Sequence, residues 1–127
     1  MERRTLGKTG LQISPLGFGG APVGFLETEQ ESVAASLSEV LDQGVNLIDT
    51  AARYDGSEEM IGKAISRRRD DYVLVSKCGD AMDGIKGAAL SEEVILNTVD
   101  RALRRLQTDF LDAVSYTHLT LPTSDLV

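Results

Sequence analysis

Apolar positions along this chain switch between two patterns. Short contiguous runs, Asn46-Leu47-Ile48-Asp49 and Tyr72-Val73-Leu74-Val75-Ser76-Lys77, read as buried strands. Between them the apolar residues fall three and four apart, the spacing of amphipathic helices. The first such helix starts at a capping box of Thr28 and Glu31, carries Val33, Leu37, Val40 and Leu41 on one face and stops at Gly44. A second is capped by Ser57, with Glu58 and Glu59 in its first turn and Met60, Ile61, Ala64 and Ile65 turned inward. A third is capped by Ser91, with Ile95, Val99, Ala102, Leu103 and Leu106 inward. Residues 3–14 predict two short strands around a glycine-containing turn. Leu16-Gly17-Phe18-Gly19-Gly20 predicts a strand ending in glycines, where backbone can approach a ligand closely. A glycine-rich loop is expected over 79–89, and Phe110-Leu111-Asp112 opens another strand.

Strands and helices therefore alternate, which implies parallel strands joined by right-handed crossovers. Periodicity does not separate an open doubly wound sheet from part of a closed barrel. The glycines at 17, 19 and 20 lack dinucleotide-fingerprint spacing, which disfavours a Rossmann domain.

Composition narrows the class. A chain of 127 residues is enough for one domain with a core, and its apolar and charged fractions are those of a soluble globular protein. No apolar run is long enough to span a bilayer, and residues 1–15 lack the apolar core of a signal peptide. A net charge of −7 argues against nucleic acid as the main partner. The basic clusters Arg67-Arg68-Arg69 and Arg104-Arg105 fall late in predicted helices, where cations complement the dipole. The single cysteine, Cys78, excludes an internal disulfide and fits a reducing cytoplasm.

The candidate chemistry lies in Asp49-Thr50-Ala51-Ala52-Arg53-Tyr54 and in Lys77. A phenol has a pKa of about 10 and is a poor acid at neutral pH. An ammonium beside it favours the phenolate, and a carboxylate can hold that ammonium in place. Tyr54, Lys77 and Asp49 could fill these roles for proton donation to a carbonyl oxygen. Taken singly, each has a plainer reading: Asp49 as a turn residue, Tyr54 as a loop aromatic, Lys77 as a solvated strand-end charge. Asn46 and Arg53 read as structural or loop-anchoring. Strand alternation from Lys77 puts Cys78 on the opposite face, toward the helices, as a buried and inert thiol.

Leu6-Gly7-Lys8-Thr9-Gly10-Leu11, Leu16 through Gly20, Asn46 through Tyr54, Gly56 through Gly62, Val75-Ser76-Lys77 and Arg101 through Asp112, in that order, resemble the aldo-keto reductase family. The resemblance implies a (β/α)₈ TIM barrel closed at its base by an N-terminal β-hairpin. This chain would supply the hairpin, about three βα units and the start of strand four, out of a barrel of ~250 residues or more. It implies NADP(H)-dependent reduction of an aldehyde or ketone to an alcohol, or the reverse, in a full-length parent, with NAD(H) left open and no metal. Asp49, Tyr54 and Lys77 match the family's catalytic positions; Gly19, Asp49 and Tyr54 would flank the nicotinamide end of the cofactor. The implied partner is a small carbonyl or alcohol substrate, with no nucleic acid and no membrane, in the cytoplasm. A non-enzymatic half-barrel, or an accessory subunit of the same fold that binds a protein partner, is the alternative; the intact Asp49, Tyr54 and Lys77 favour the reductase.

The resemblance stops near Asp112. The family's catalytic histidine would fall at Thr117, and His118 is one residue out, which turns a strand side chain to the other face. The run Val114-Ser115-Tyr116-Thr117-His118-Leu119-Thr120-Leu121-Pro122-Thr123 resembles translated transposase-adapter DNA from a sequencing library. Residues 1–112 are thus expected to be the N-terminal part of the barrel. Residues 113–127 are expected to be a non-native tail, with Ala113 a hybrid codon, and the fragment by itself to be inactive.

Overall fold

The structure is a computed structural model and describes residues 1–26 and 28–116. Its elements run β1 (Arg4–Thr5), β2 (Gln12–Ile13), β3 (Gly17–Gly19), α1 (Ala21–Phe25), α2 (Gln30–Asp42), β4 (Leu47–Asp49), α3 (Ser57–Ile65), a 3₁₀ turn (Ser66–Asp71), β5 (Val73–Lys77), α4 (Glu92–Leu106) and β6 (Ala113–Ser115). β1 and β2 form the expected antiparallel hairpin. The other strands form one parallel sheet in the order β3-β4-β5-β6. Each crossover carries a helix, as in part of an α/β barrel.

Strand alternation divides the sheet into two faces. Ile48 and Leu74, both wholly buried, point to the helices and join Val33, Leu37, Ile61, Ile65, Ala102 and Leu106 in one core. Leu47, Asp49, Val73, Val75 and Lys77 share the other face. Helices α3 and α4 pack closely at Gly62, where an added Cβ would collide with the Arg105 carbonyl. The hairpin is tied to the lower end of β4 by Asn46, whose Oδ1 accepts from Ser14 N–H at 2.7 Å and whose Nδ2 donates to Gln12 O at 2.9 Å. Asn46 is structural, as its sequence reading has it.

Several local expectations are corrected. Helix α2 begins at Gln30 behind an extended Glu29, and Thr28 donates to Pro22 O at 3.5 Å instead of capping. Gly56, at φ 74°, is the N-cap of α3. Ser57 lies inside the helix and is wholly buried, donating to Gly20 O at 2.8 Å and meeting Thr50 Oγ1 at 3.0 Å. A local helix boundary is here overruled by a tertiary contact. Ser91 does cap α4, accepting from Val94 N–H at 3.3 Å. The buried face of α4 is Val94, Thr98, Arg101, Ala102 and Leu106, one position round from the face the apolar pattern marks; Ile95, Val99 and Leu103 are half-buried. The helix turns two polar residues inward because both bond the loop before it.

Strand β6 starts at Ala113, after Phe110-Leu111-Asp112, although Asp112 N–H already bonds Leu74 O at 3.0 Å. Helix α1 has no signal in the sequence pattern: it is five residues long and begins at a proline turn. Arg104 and Arg105 fall in the last turn of α4, and Arg68 and Arg69 in the last turn of the 3₁₀ segment; the arginines at 68, 69 and 105 also make specific ion pairs. Thr117 and His118, and with them most of the adapter-like run, lie outside the described residues.

Candidate active site

Asp49 ends β4 and Lys77 ends β5, at the same edge of the parallel sheet. The register pairs Asp49 with Val75, so Lys77 projects one step beyond it on the same face. The Lys77 ammonium donates to both Asp49 carboxylate oxygens, at 3.0 and 2.9 Å, and to Thr50 O at 2.9 Å. All three of its N–H groups are thereby directed.

Tyr54 is delivered by the turn between β4 and α3. Its N–H bonds Ala51 O at 3.0 Å, and its carbonyl accepts from Ser57 N–H at 2.7 Å, just where α3 begins. The Lys77 Nζ stands over the Tyr54 ring, 5.0 Å from its centroid. Phe25, from α1, meets the same ring edge-on at 5.7 Å and 72°. Two different neighbours thus fix the plane of the phenol.

Gly19 lies beside Asp49 in the β3–β4 register, and nothing comes within 4 Å of the place its Cβ would take. That open space over backbone is what a planar ligand needs. Gly20 differs: a Cβ there would stand 2.8 Å from Ser57 Oγ and 3.0 Å from Asp49 O, so its role is packing.

A cavity of about 410 Å³ opens beside Tyr54 and Lys77, with Cys78, Gly79, Asp80 and Leu90 on its walls. This corrects the reading of Cys78. The residue lies past the end of β5, where strand alternation no longer applies, and it is half-buried against the cavity. Burial pushes the Cys78 thiol pKa up, and the Asp80 charge adds to that. Arg53 anchors the rim by donating from Nε to Asp80 at 2.6 Å, as a loop anchor should.

Sequence reasoning missed the support behind this face. Glu58 is 1% exposed; its carboxylate accepts from Ser76 Oγ at 2.7 Å and lies 3.5 Å from Arg105. Neither partner is near Glu58 in the chain, and a glutamate in a first helical turn ordinarily faces solvent. Among the described residues no group of His, Cys, Asp or Glu side chains is assembled for a metal ion.

Residues 15–126 match the aldo/keto reductase family. L-galactose dehydrogenase of Arabidopsis thaliana is 37% identical over 119 residues, which cover 88% of this chain and 36% of that protein. Aldo-keto reductase AKR11C1 of Bacillus halodurans, in its holo form, superposes with a TM-score of 0.78 at 37% identity over 90% of this chain and 39% of its own. An aldo/keto reductase of Klebsiella pneumoniae in complex with NADP and acetate superposes with a TM-score of 0.66 at 33% identity, over 83% of this chain and 35% of its own. This chain therefore spans well under half the length of each of these relatives.

Proposed function

The chain belongs to the aldo/keto reductase family, an oxidoreductase family, and from that premise we propose that it is the N-terminal part of an NADP(H)-dependent carbonyl reductase. The observation that carries the reading is the Lys77 ammonium, held by Asp49 over the ring of Tyr54. In this reading Tyr54 donates its hydroxyl proton to the oxygen of a bound aldehyde or ketone; a nicotinamide cofactor held beside Gly19, Asp49 and Tyr54 would supply the hydride for the carbonyl carbon. Lys77 stabilises the phenolate that remains, and Asp49 keeps Lys77 placed. The reverse oxidation uses the same groups in the opposite sense.

The residues present fit the nicotinamide end of such a cofactor. Gly19 offers open backbone beside Asp49, and Tyr54 faces the cavity. The NADP bound by the Klebsiella pneumoniae relative supports NADP(H) as the coenzyme. A small carbonyl or alcohol is the proposed substrate, and the reducing cytoplasm the proposed compartment. NADPH consumption by the full-length protein against a panel of reactive aldehydes, with cofactor binding followed by fluorescence, tests the reading. A protein that binds NADPH and reduces no member of the panel would overturn it.

Residues 1–127 alone are proposed to be inactive, because the inward faces of β4 and β5 would lack partners across the barrel. Saturable NADPH binding by a monomer with a sharp unfolding transition would refute that. The same reading takes 113–127 as foreign to the parent. Amplifying the locus from source DNA without transposase treatment decides this, and an in-frame tail ending at Val127 would sink it.

A further inference from the structure

The loop 78–91 supplies one wall of the cavity, through Gly79, Asp80, Ala89 and Leu90. Its neck is closed by Leu90 N–H on Gly79 O at 2.9 Å and by Gly79 N–H on Thr98 Oγ1 at 3.1 Å. Its shape is not one that side chains choose for themselves. Asp83 and Leu90 both adopt positive φ, 55° and 64°, which leucine disfavours strongly. Such a loop needs an external hold, and it has one at its far end.

Two arginines of α4 meet there. Arg101, 7% exposed, donates from Nη1 to Met82 O at 2.9 Å and stands 3.5 Å from the Asp83 carboxylate. Arg105 donates from Nη2 to Asp83 at 3.0 Å. The same Arg105 guanidinium lies 2.7 Å from Glu59 and 3.5 Å from Glu58, in the first turn of α3 directly after the Tyr54 segment. Glu58 in turn accepts from Ser76, the neighbour of Lys77. One planar cation thus joins the cavity wall to the two segments that bear Tyr54 and Lys77. Its fork of donors suits this in a way that a lysine's single ammonium does not.

We propose that Asp83, gripped by Arg101 and Arg105, is a positioning residue that sets the distance of the 78–91 wall from Tyr54 and Lys77, and so governs how tightly the carbonyl substrate is held. The proposal rests on the reductase reading for its kinetic part. Asp83 touches no reacting atom, so its removal acts on substrate binding more than on the chemical step.

The test uses the full-length protein with Asp83→Asn, which keeps the residue's tolerance of positive φ and removes its charge. Asp83→Gly is the second variant, and Arg105→Lys removes the fork while keeping the charge. The first readout is the rate of Cys78 alkylation by iodoacetamide, followed by peptide mass spectrometry, because Cys78 lies on the cavity that the wall covers. Loosening the wall should speed it by about threefold or more. The second is steady-state kinetics: KM for the aldehyde should rise about fivefold, with kcat and NADPH affinity changed less than about twofold. Alkylation at the wild-type rate in both Asp83 variants would overturn the proposal. So would faster alkylation with unchanged KM, since the tether would then be structural only. A wild-type protein that reduces no carbonyl would instead sink the reductase reading, and the alkylation rates would still decide whether Asp83 holds the wall.

Discussion

The sheet carries an ion pair at each end of β5, and the two are built for opposite purposes. At the lower end Arg69 donates to Asp112 at 2.6 Å, with side chains 12% and 13% exposed. The guanidinium carbon lies over the ring of Phe110, 3.8 Å from its centroid, and 5.1 Å from that of Tyr72, and the Asp112 carboxylate also accepts from Leu74 N–H at 2.8 Å. At the upper end Lys77 and Asp49 pair at 2.9 Å but remain 32% and 43% exposed. The lower pair is nearly withdrawn from solvent, whereas the upper pair stays partly exposed, with Lys77 on the wall of the cavity beside Tyr54. In barrels of this kind the two ends divide along this line, with stability at the N-terminal ends of strands and chemistry at the C-terminal ends. The choice of cation follows. Arginine's planar fork can be stacked and bound from several sides, whereas lysine presents a compact charge that can stand over a phenol ring.

The sharpest break of this contrast is at the upper end. In the full-length protein, Tyr54→Phe should lower kcat for carbonyl reduction about 10²–10⁴-fold, the usual worth of a positioned general acid. Cofactor binding and thermal stability should stay near wild type, since the ring's contacts with Phe25 and Lys77 do not need the hydroxyl. Near-normal turnover would remove Tyr54 from the mechanism. Lys77→Met should also depress turnover by about 10²-fold or more, because the phenolate loses its charged neighbour. Normal turnover in that variant would mean that the ammonium over the ring is a structural contact.

The lower end should answer in the other currency. Arg69→Met keeps an apolar stem beside the two rings but strands Asp112 against Leu74 N–H. Removing one partner of a buried pair costs about 3–5 kcal/mol, and this pair, nearly nine-tenths covered, belongs toward the low end of that range. Denaturant unfolding measures it, and activity per folded molecule should be unchanged. A loss below the error of the midpoint would show that the pair is as weak as an exposed one.

The sequence made the two ends unequally visible. Asp49, Tyr54 and Lys77 were legible because their spacing from strand ends is local: a short apolar run stops, and a reactive side chain follows it. The strand–helix alternation was legible for the same reason, since burial imposes a period within each segment. Arg69 carries only the signal of a basic cluster, because Asp112 and Phe110 are more than forty residues away. Ser57 looked like a cap and is a buried hydrogen-bond donor to Gly20 for the same cause. Glu58 and Arg101, charged residues turned into the fold, ran against the apolar pattern that identifies a helix's inner face. Arg69, Ser57, Glu58 and Arg101 escape the sequence because their partners are distant in the chain, and Cys78 because strand alternation ends one residue before it.

The smallest expected effect concerns Cys78, and it sharpens what an open end means. Its neighbour Lys77 would by charge alone favour the thiolate, yet burial and the Asp80 carboxylate both push the thiol pKa up. The thiolate is the reactive form, so the pH profile of Cys78 alkylation should have its midpoint above that of a free thiol. The sign is fixed by the protonated form being the neutral one: desolvation penalises the anion, and an adjacent anion penalises it again. Asp80→Asn removes the second cause and leaves the first, so the midpoint should fall but stay above the free-thiol value. That variant also loosens the Arg53 clasp at the rim, so the rate at high pH should rise as well. A midpoint at or below that of a free thiol in the unaltered protein would mean that the Lys77 charge dominates at this position. The cavity would then be a cationic site, and the separation between a sealed lower end and a balanced, partly screened upper end would have to be redrawn.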